Sequence, residues 1–408
     1  MPARRAAVAF ILITVLLDVL ALGIVIPVLP KLIEGFMGGD TAGAAQVLGL
    51  FMTLWALMQF VGSPIQGALS DHFGRRPVVL ASNFGLGLDY LVMALAPTLW
   101  WMLIGRALSG LTAASFSTAT AYIADVTEPE KRAAAFGKIG AAFGVGFVLG
   151  PALGGWLGHF DPRLPFWVAG GLSLANAAYG YFVLPESLPP EKRERFAWRR
   201  AHPLGSLKLL RTHPELFGLA STYFLFQVAH WVLPSSFVLY TGFRYGWDTA
   251  TIGTVLAAVG ICNVAVQGFL VRPVIKRIGE RHAVVFGLGC GALALGSMGL
   301  APSGMWFLAT LPLLALSGFF GPSANALMTQ RVPVSEQGQL QGANASFTGI
   351  TGLLAPFLFT QTLSVGIALN EGGGASGLPF VVAGGVLVVA LAIAWVVTRR
   401  HAPVAVAA

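Results

Sequence analysis

The sequence predicts an all-α membrane protein of twelve transmembrane helices, arranged as two six-helix bundles related by pseudo-two-fold symmetry. Three observations carry that prediction. The 408 residues are 56% hydrophobic and only 10% charged, against roughly 25% charged in soluble domains. The apolar residues gather into twelve runs of about 20–27 residues, long enough for a helix to cross a ~30 Å hydrocarbon core. Basic residues mark alternate loops between these runs.

Taken in order, the runs are 6–30, 44–69, 77–97, 99–123, 133–158 and 165–184, then 214–240, 248–271, 282–301, 304–328, 338–364 and 378–398. They define an N-terminal bundle over 1–184, a cytoplasmic linker over 185–212 and a C-terminal bundle over 213–408. The first run is too long for a cleavable signal and leads directly into the second. The linker holds Lys192, Arg193, Arg195, Arg199, Arg200, Lys208 and Arg211 and is too short for a folded domain. Within it, Gly205–Leu210 has the pattern of a short interfacial helix.

The net charge of +8 points to topology rather than to nucleic acid. All but four of the 25 Lys and Arg flank one set of loops and the termini; the exceptions are Lys31, Arg163, Arg244 and Arg106. That bias places both termini in the cytoplasm. Trp100, Trp101, Trp156, Trp167, Trp247 and Trp306 fall near the opposite ends of the spans, as an interfacial belt does. Cys262 and Cys290 lie in apolar spans and imply no disulfide framework.

The halves repeat. A shift of 205 residues places Gly74 on Gly279, Gly137 on Gly342, Gly144 on Gly349 and Pro151 on Pro356. Six-span repeats about an axis along the membrane normal, with substrate held between the halves, are a recognised transporter plan.

Three ionised side chains interrupt the apolar runs. Asp18 lies thirteen residues past Arg5 and Asp89 thirteen past Arg76, roughly 20 Å deep at ~1.5 Å per residue. Arg106 reaches a similar depth from the other side. An unpaired charge there costs at least about 3 kcal/mol, so these groups are expected to face one another or a water-filled cavity, and to mark a function. Arg106 cannot lose its proton at ordinary pH. Gln59, Asn83, Gln227, His230, Trp231, Asn263 and Asn344 are candidate substrate-binding residues. His230 and Gln227 sit at about the depth of the two aspartates, and histidine titrates near neutrality. Phe51, Trp55, Phe226 and Phe237 are candidate aromatic contacts.

The loop after the second span reads Gly67-Ala-Leu-Ser70-Asp71-His72-Phe-Gly74-Arg75-Arg76-Pro77. Gly67 is expected to permit close helix approach, and Gly74 a turn that side chains would obstruct. Asp71 is suited to accept from a helix N-terminus. Arg75 and Arg76 are suited to pair with acids such as Asp125. In the second-half copy Lys276 replaces the aspartate and Glu280 an arginine, so that copy is not expected to latch in the same way. In the fifth span Gly146, Gly150, Gly154 and Gly158 recur every four residues, beside Pro151 and Gly155. Such a smooth face serves backbone-to-backbone helix contact.

These segments resemble the major facilitator superfamily, whose loop signature is Gly-x-x-x-Asp-x-x-Gly-Arg-Arg/Lys. Arg106-Ala-Leu-Ser-Gly110 resembles the family's Arg-x-x-x-Gly element, and Gly146–Gly155 resembles the motif of its antiporters. Leu88-Asp89-Tyr90-Leu91, Ile123-Ala124-Asp125, Arg244-Tyr-Gly-Trp247 and the Gln337–Gly342 segment are similar to the tetracycline–proton antiporters over nearly the whole chain. The resemblance implies a drug–proton antiporter with Asp18, Asp89 and Arg106 in proton coupling and Asp71 in gating. Its partners would be a small molecule, protons and lipid. It would act as a monomer, with no enzyme activity, metal, cofactor or nucleic acid. Two departures stand out: Asn263 replaces a histidine of the eighth span, and the ninth has Cys290-Gly291 where those antiporters carry an aspartate. Transport of a metabolite or metal chelator on the same fold is the alternative, and a membrane sensor the remote one.

Overall fold

A computed structural model describes residues 2–113, 115–128, 131–193, 208–333, 336–369 and 375–400, and every regular element among them is helical. The first half holds α1 (Pro2–Val25), α2 (Leu29–Phe36), α3 (Thr41–Phe73), α4 (Arg75–Leu95), α5 (Leu99–Thr112), α6 (Ser115–Val126), α7 (Arg132–Phe160) and α8 (Leu164–Val183). The second holds α9 (Leu209–Thr212), α10 (Phe217–His230), α11 (Val232–Tyr245), α12 (Thr249–Ala265), α13 (Val271–Leu300) and α14 (Gly304–Ala309). It closes with α15 (Leu311–Leu316), α16 (Phe320–Thr329), α17 (Gln337–Ala368) and α18 (Leu378–Arg400). The expected Gly205–Leu210 helix lies mostly outside the described residues, as do Arg195, Arg199 and Arg200; α9 is a single turn beside it.

Among the described residues nine helices are long and apolar enough to cross a membrane. One of them, Thr249–Leu300, has 52 residues, about 78 Å at 1.5 Å per residue and more than twice a hydrocarbon core. It bends at Gly279, whose φ of 78° and ψ of 159° are not helical, and so supplies two crossings. The shorter α5–α6 pair and α8 supply the other two of the twelve.

The runs at 99–123 and 214–240, expected as single helices, are each broken. Between α5 and α6, Ala113 leaves the helix at φ −76° and ψ 51°. Side chains of α3 take up the carbonyls this frees: Gln66 donates to Leu111 O and Gln59 to Ala113 O at 3.5 Å. Between α10 and α11, Pro234 has no N–H to return to the His230 carbonyl, and the ladder resumes one residue on, from Ser235 N to Trp231 O at 3.1 Å.

The chain divides into two compact units. One comprises Met1–Pro203 with Trp247–Gly260, the other Leu204–Gly246 with Ile261–Ala408. In the first unit α7 meets α1 along bare backbone: a Cβ at Gly150 would stand 2.6 Å from Gly23 Cα, and one at Gly154 2.0 Å from Ile24 O. The neighbouring face of α7 meets the start of α12, where a Cβ at Gly155 would stand 2.8 Å from Gly253 Cα. The repeat is visible in the backbone: Gly74 (φ 107°, ψ 162°) and Gly279 share an unusual conformation 205 residues apart, and Pro151 and Pro356 both sit inside long helices.

Candidate functional site

The first unit gathers two polar clusters at mid-span. In one, Asn176 of α8 donates from Nδ2 to Asp18 Oδ1 at 2.9 Å and to Thr14 O at 3.0 Å. Asn83 of α4, with its amide oriented so that each atom meets a complementary partner, donates to both Asp18 oxygens at 3.0 and 3.1 Å and accepts from Asn176 at 3.1 Å. Both asparagines are fully buried while Asp18 is half-buried. Asn83, expected to line a substrate cavity, thus faces Asp18. Asn176 is absent from the sequence-based expectations; its signal was the same one that marked Asn83, an amide inside an apolar run.

In the other cluster Asp89, fully buried, projects at α5. A Cβ on Gly105 would stand 2.6 Å from Asp89 Oδ1, so only glycine leaves the carboxylate its space. Ser109 is its hydroxyl neighbour, in range but outside good hydrogen-bond geometry, and Arg106 supplies the nearby positive charge. The Arg106 guanidinium lies over the Trp55 ring of α3 at 5.7 Å, a cation–π placement that suits Arg better than Lys. Tyr90, buried beside Asp89, lies within electrostatic range of Asp18, Asp89 and Arg106.

At the end of α3 a network of charges surrounds the Gly74 turn. Arg75 pairs with Asp71 and with Asp125 Oδ2 at 3.1 Å, and donates to Ser70 Oγ at 2.9 Å. Arg76 donates to Tyr181 O and lies over the Tyr181 ring at 5.7 Å. Asp71 was expected to receive the α4 N-terminus, but Glu186 does so. Its Oε1 accepts from Arg75 N at 2.8 Å, Ser187 N at 2.9 Å and Leu188 N at 3.0 Å. Asp71 lies in the last turn of α3, where its own helix leaves it facing Arg75 instead. Gly67 also departs from expectation, since a Cβ there would meet nothing within 4 Å.

In the second unit Gln227 donates to Thr348 Oγ1 at 3.0 Å. Asn344 and Gln341 donate to Asn325 Oδ1 at 3.4 and 3.0 Å. His230 is exposed and stacks on Phe226 at 5.8 Å, which in turn stacks on Phe320 at 4.3 Å. Trp231 and Asn263 are half-buried. Phe51 and Phe237, considered for aromatic contact, are buried in packing instead, 3% and 1% exposed. Cys262 and Cys290 are free thiols.

The family model for the Major Facilitator Superfamily matches residues 11–356. The chain is 38% identical over 354 residues to the class C tetracycline resistance protein of Escherichia coli, covering 87% of this chain and 89% of that one. It is 35% identical over 363 residues to the class G tetracycline resistance protein of Vibrio anguillarum, covering 88% and 91%. Among solved structures, a bacterial homolog of the human lysosomal transporter Spinster, inward-facing and unoccupied, superposes with a TM-score of 0.80 at 16% identity over 98% of each chain. That likeness shows the fold alone.

Proposed function

The chain belongs to the Major Facilitator Superfamily, and from that premise we propose that it is a proton-coupled antiporter exporting a small amphiphilic compound by alternating access. It is a transporter and not an enzyme, embedded in the membrane as a multi-pass protein. The observation that carries the proposal is the pair of mid-span carboxylates, Asp18 and Asp89, with Arg106 beside the second. A proton bound there removes a buried charge and changes which arrangement of the bundles 1–184 and 213–408 costs less. The 185–212 linker joins them on the cytoplasmic side of a bacterial inner membrane. Each proton entering from outside contributes ~2.3 kcal/mol per 100 mV.

Tetracycline, named for the relatives at 38% and 35% identity, is the first compound to test. Cys290, where the tetracycline–proton antiporters carry an aspartate, leaves the second half less negative, and Asn263 in place of a histidine removes a titratable ring. Hard divalent cations prefer oxygen ligands, so a metal-chelated drug is expected to be carried less well than an aromatic amphiphile suited to His230, Trp231 and Phe226.

Purified protein in liposomes with an imposed pH gradient tests the proposal. Asp18→Asn and Asp89→Asn are each expected to abolish gradient-driven tetracycline transport with expression intact. Arg106→Lys should fail as well, since it keeps the charge but loses the planar group stacked on Trp55. Full gradient-driven transport by both asparagine variants would sink the proton-carrier assignment.

A further inference from the structure

α12 starts in the second half of the sequence, yet its first stretch packs with the first half. Trp247–Gly260 belongs to the first compact unit, whereas the chain from Ile261 onward belongs to the second. The contact follows α7 from Val148 to His159. A Cβ on Gly260 would stand 2.8 Å from Val148 Cγ2, and one on Gly253 2.8 Å from Gly155 Cα. At the end of this seam His159 Nδ1 meets Asp248 Oδ2 at 3.3 Å. Asp248 is fixed by the helix it starts, since its Oδ1 accepts from Thr251 N at 2.9 Å. The two side chains are 58% and 50% exposed, so bulk water reaches the pair. Beyond the seam the ladder of α12 loosens into a π turn at Val266–Leu270, closed by Val271 N on Val266 O. Such turns are rare in helices and frequent at functional sites.

Other charges at this end of α7 are Asp161 and Arg163. Asp161 accepts from Arg163 N at 2.6 Å, and the Arg163 guanidinium donates to Ala94 O and Ala96 O at 3.1 and 3.0 Å. From the α1 and α8 sides Val28 and Pro165 approach Gly158, and Arg244 precedes Asp248 by four residues. Histidine is the side chain whose charge ordinarily changes between about pH 5 and 8, whereas aspartate and arginine keep theirs there.

We propose that His159 and Asp248 form a pH-sensitive clasp on the outer side of the membrane, which holds the first stretch of α12 against α7 when His159 carries a proton. Protonation turns a neutral hydrogen bond into an ion pair; loss of the proton weakens it and frees the stretch to swing about the π turn. The clasp rests on the antiport reading above for its side and its use. With the 185–212 linker inside, one crossing of α8 puts this end of α7 outside. An acidic exterior, the condition that drives antiport, then favours closing of the outer end after the substrate has left. The proton on His159 arrives from and returns to the outer water, and is separate from the transported one.

Distances between spin labels at the exposed Trp156→Cys and Thr254→Cys, with Cys262 and Cys290 changed to serine, test the clasp in the purified protein in lipid nanodiscs. As pH falls from about 8 to about 6, the ratio of the short-distance to the long-distance population is expected to rise about threefold, the size of a partly exposed charge pair. Asp248→Asn keeps an acceptor for Thr251 N but loses the charge, and His159→Gln loses the titration. Each should remove the pH response. His159→Arg should hold the high ratio at both pH values. A His159→Gln variant that keeps the full response would overturn the clasp, and so would a His159→Arg variant that responds as the parent does. Gradient-driven tetracycline transport by the parent in liposomes separates the two readings. Its absence, beside label distances that respond as expected, would sink the antiport reading and leave the clasp standing; its presence, beside distances that ignore pH, would do the reverse.

Discussion

The turns at Gly74 and Gly279 have nearly the same backbone and opposite surroundings. Both glycines occupy a region of φ and ψ that is almost closed to other residues, at 107°, 162° and 78°, 159°. At Gly74 a Cβ would also stand 2.3 Å from Glu186 Oε2, inside a network that binds α3, α4, α6 and the segment after α8. At Gly279 a Cβ would meet nothing within 4 Å. The same bend recurs 205 residues apart, whereas among the described residues the ionic fastening is seen only at the first. The bend therefore does not require the ionic network.

Paired substitutions test that separation. Gly74→Ala is expected to have the largest effect, because it adds backbone strain of about 1–3 kcal/mol and displaces the carboxylate that caps α4. Gly279→Ala carries the strain alone. Thermal inactivation of the two purified variants should rank them in that order, and equal losses would mean that Glu186 adjusts at no cost. Next in size is Arg75→Lys, which keeps a charge but loses the fork spanning Asp71, Ser70 and Asp125. Partly exposed pairs of this kind are screened, so about 1 kcal/mol is expected. Arg281→Lys in the second copy should fall within about 0.5 kcal/mol of the parent. A larger loss at Arg281 would show that the second copy has a fastening of its own.

The smallest effect concerns a tie in the second unit. His213 Nδ1 meets Glu215 at 2.8 Å and Nε2 meets Glu336 at 2.6 Å. Its hydrogen bonds to Glu215 and then Glu336 raise its pKa above the ordinary 6.5. A histidine whose folded pKa is raised adds stability that is complete below the unfolded value and disappears as pH rises through the folded one. His213→Gln should therefore melt below the parent in mild acid and match it in alkaline buffer. A gap that widens as pH rises would contradict the tie.

What the sequence disclosed followed from composition and period. Twelve crossings, the bias of Lys and Arg, and the intrusion of Asp18, Asp89 and Arg106 can all be read locally, because each depends on a residue and its own span. The unread part consists of partners chosen by packing. Glu186 caps α4 from 111 positions away, and no pattern near Asp71 announces that. Gln59 read as cavity lining because an amide in an apolar span suggests a ligand; it instead serves a carbonyl freed at Ala113, a break set by how α5 meets α3. Asn176 went unread beside Asn83, although the two hold the same carboxylate.

The bare contact of α7 with α1 also bears on how this protein can change over generations. Every replacement of glycine adds at least one carbon, and at Gly150 and Gly154 that carbon would fall within 2.6 and 2.0 Å of the opposite backbone. No small step away from the present residue exists along that face. Change can accumulate gradually only where a side chain already stands, as at His230, Trp231 and Asn263, which are proposed to meet the exported compound, whereas the glycine seam has no such intermediate steps.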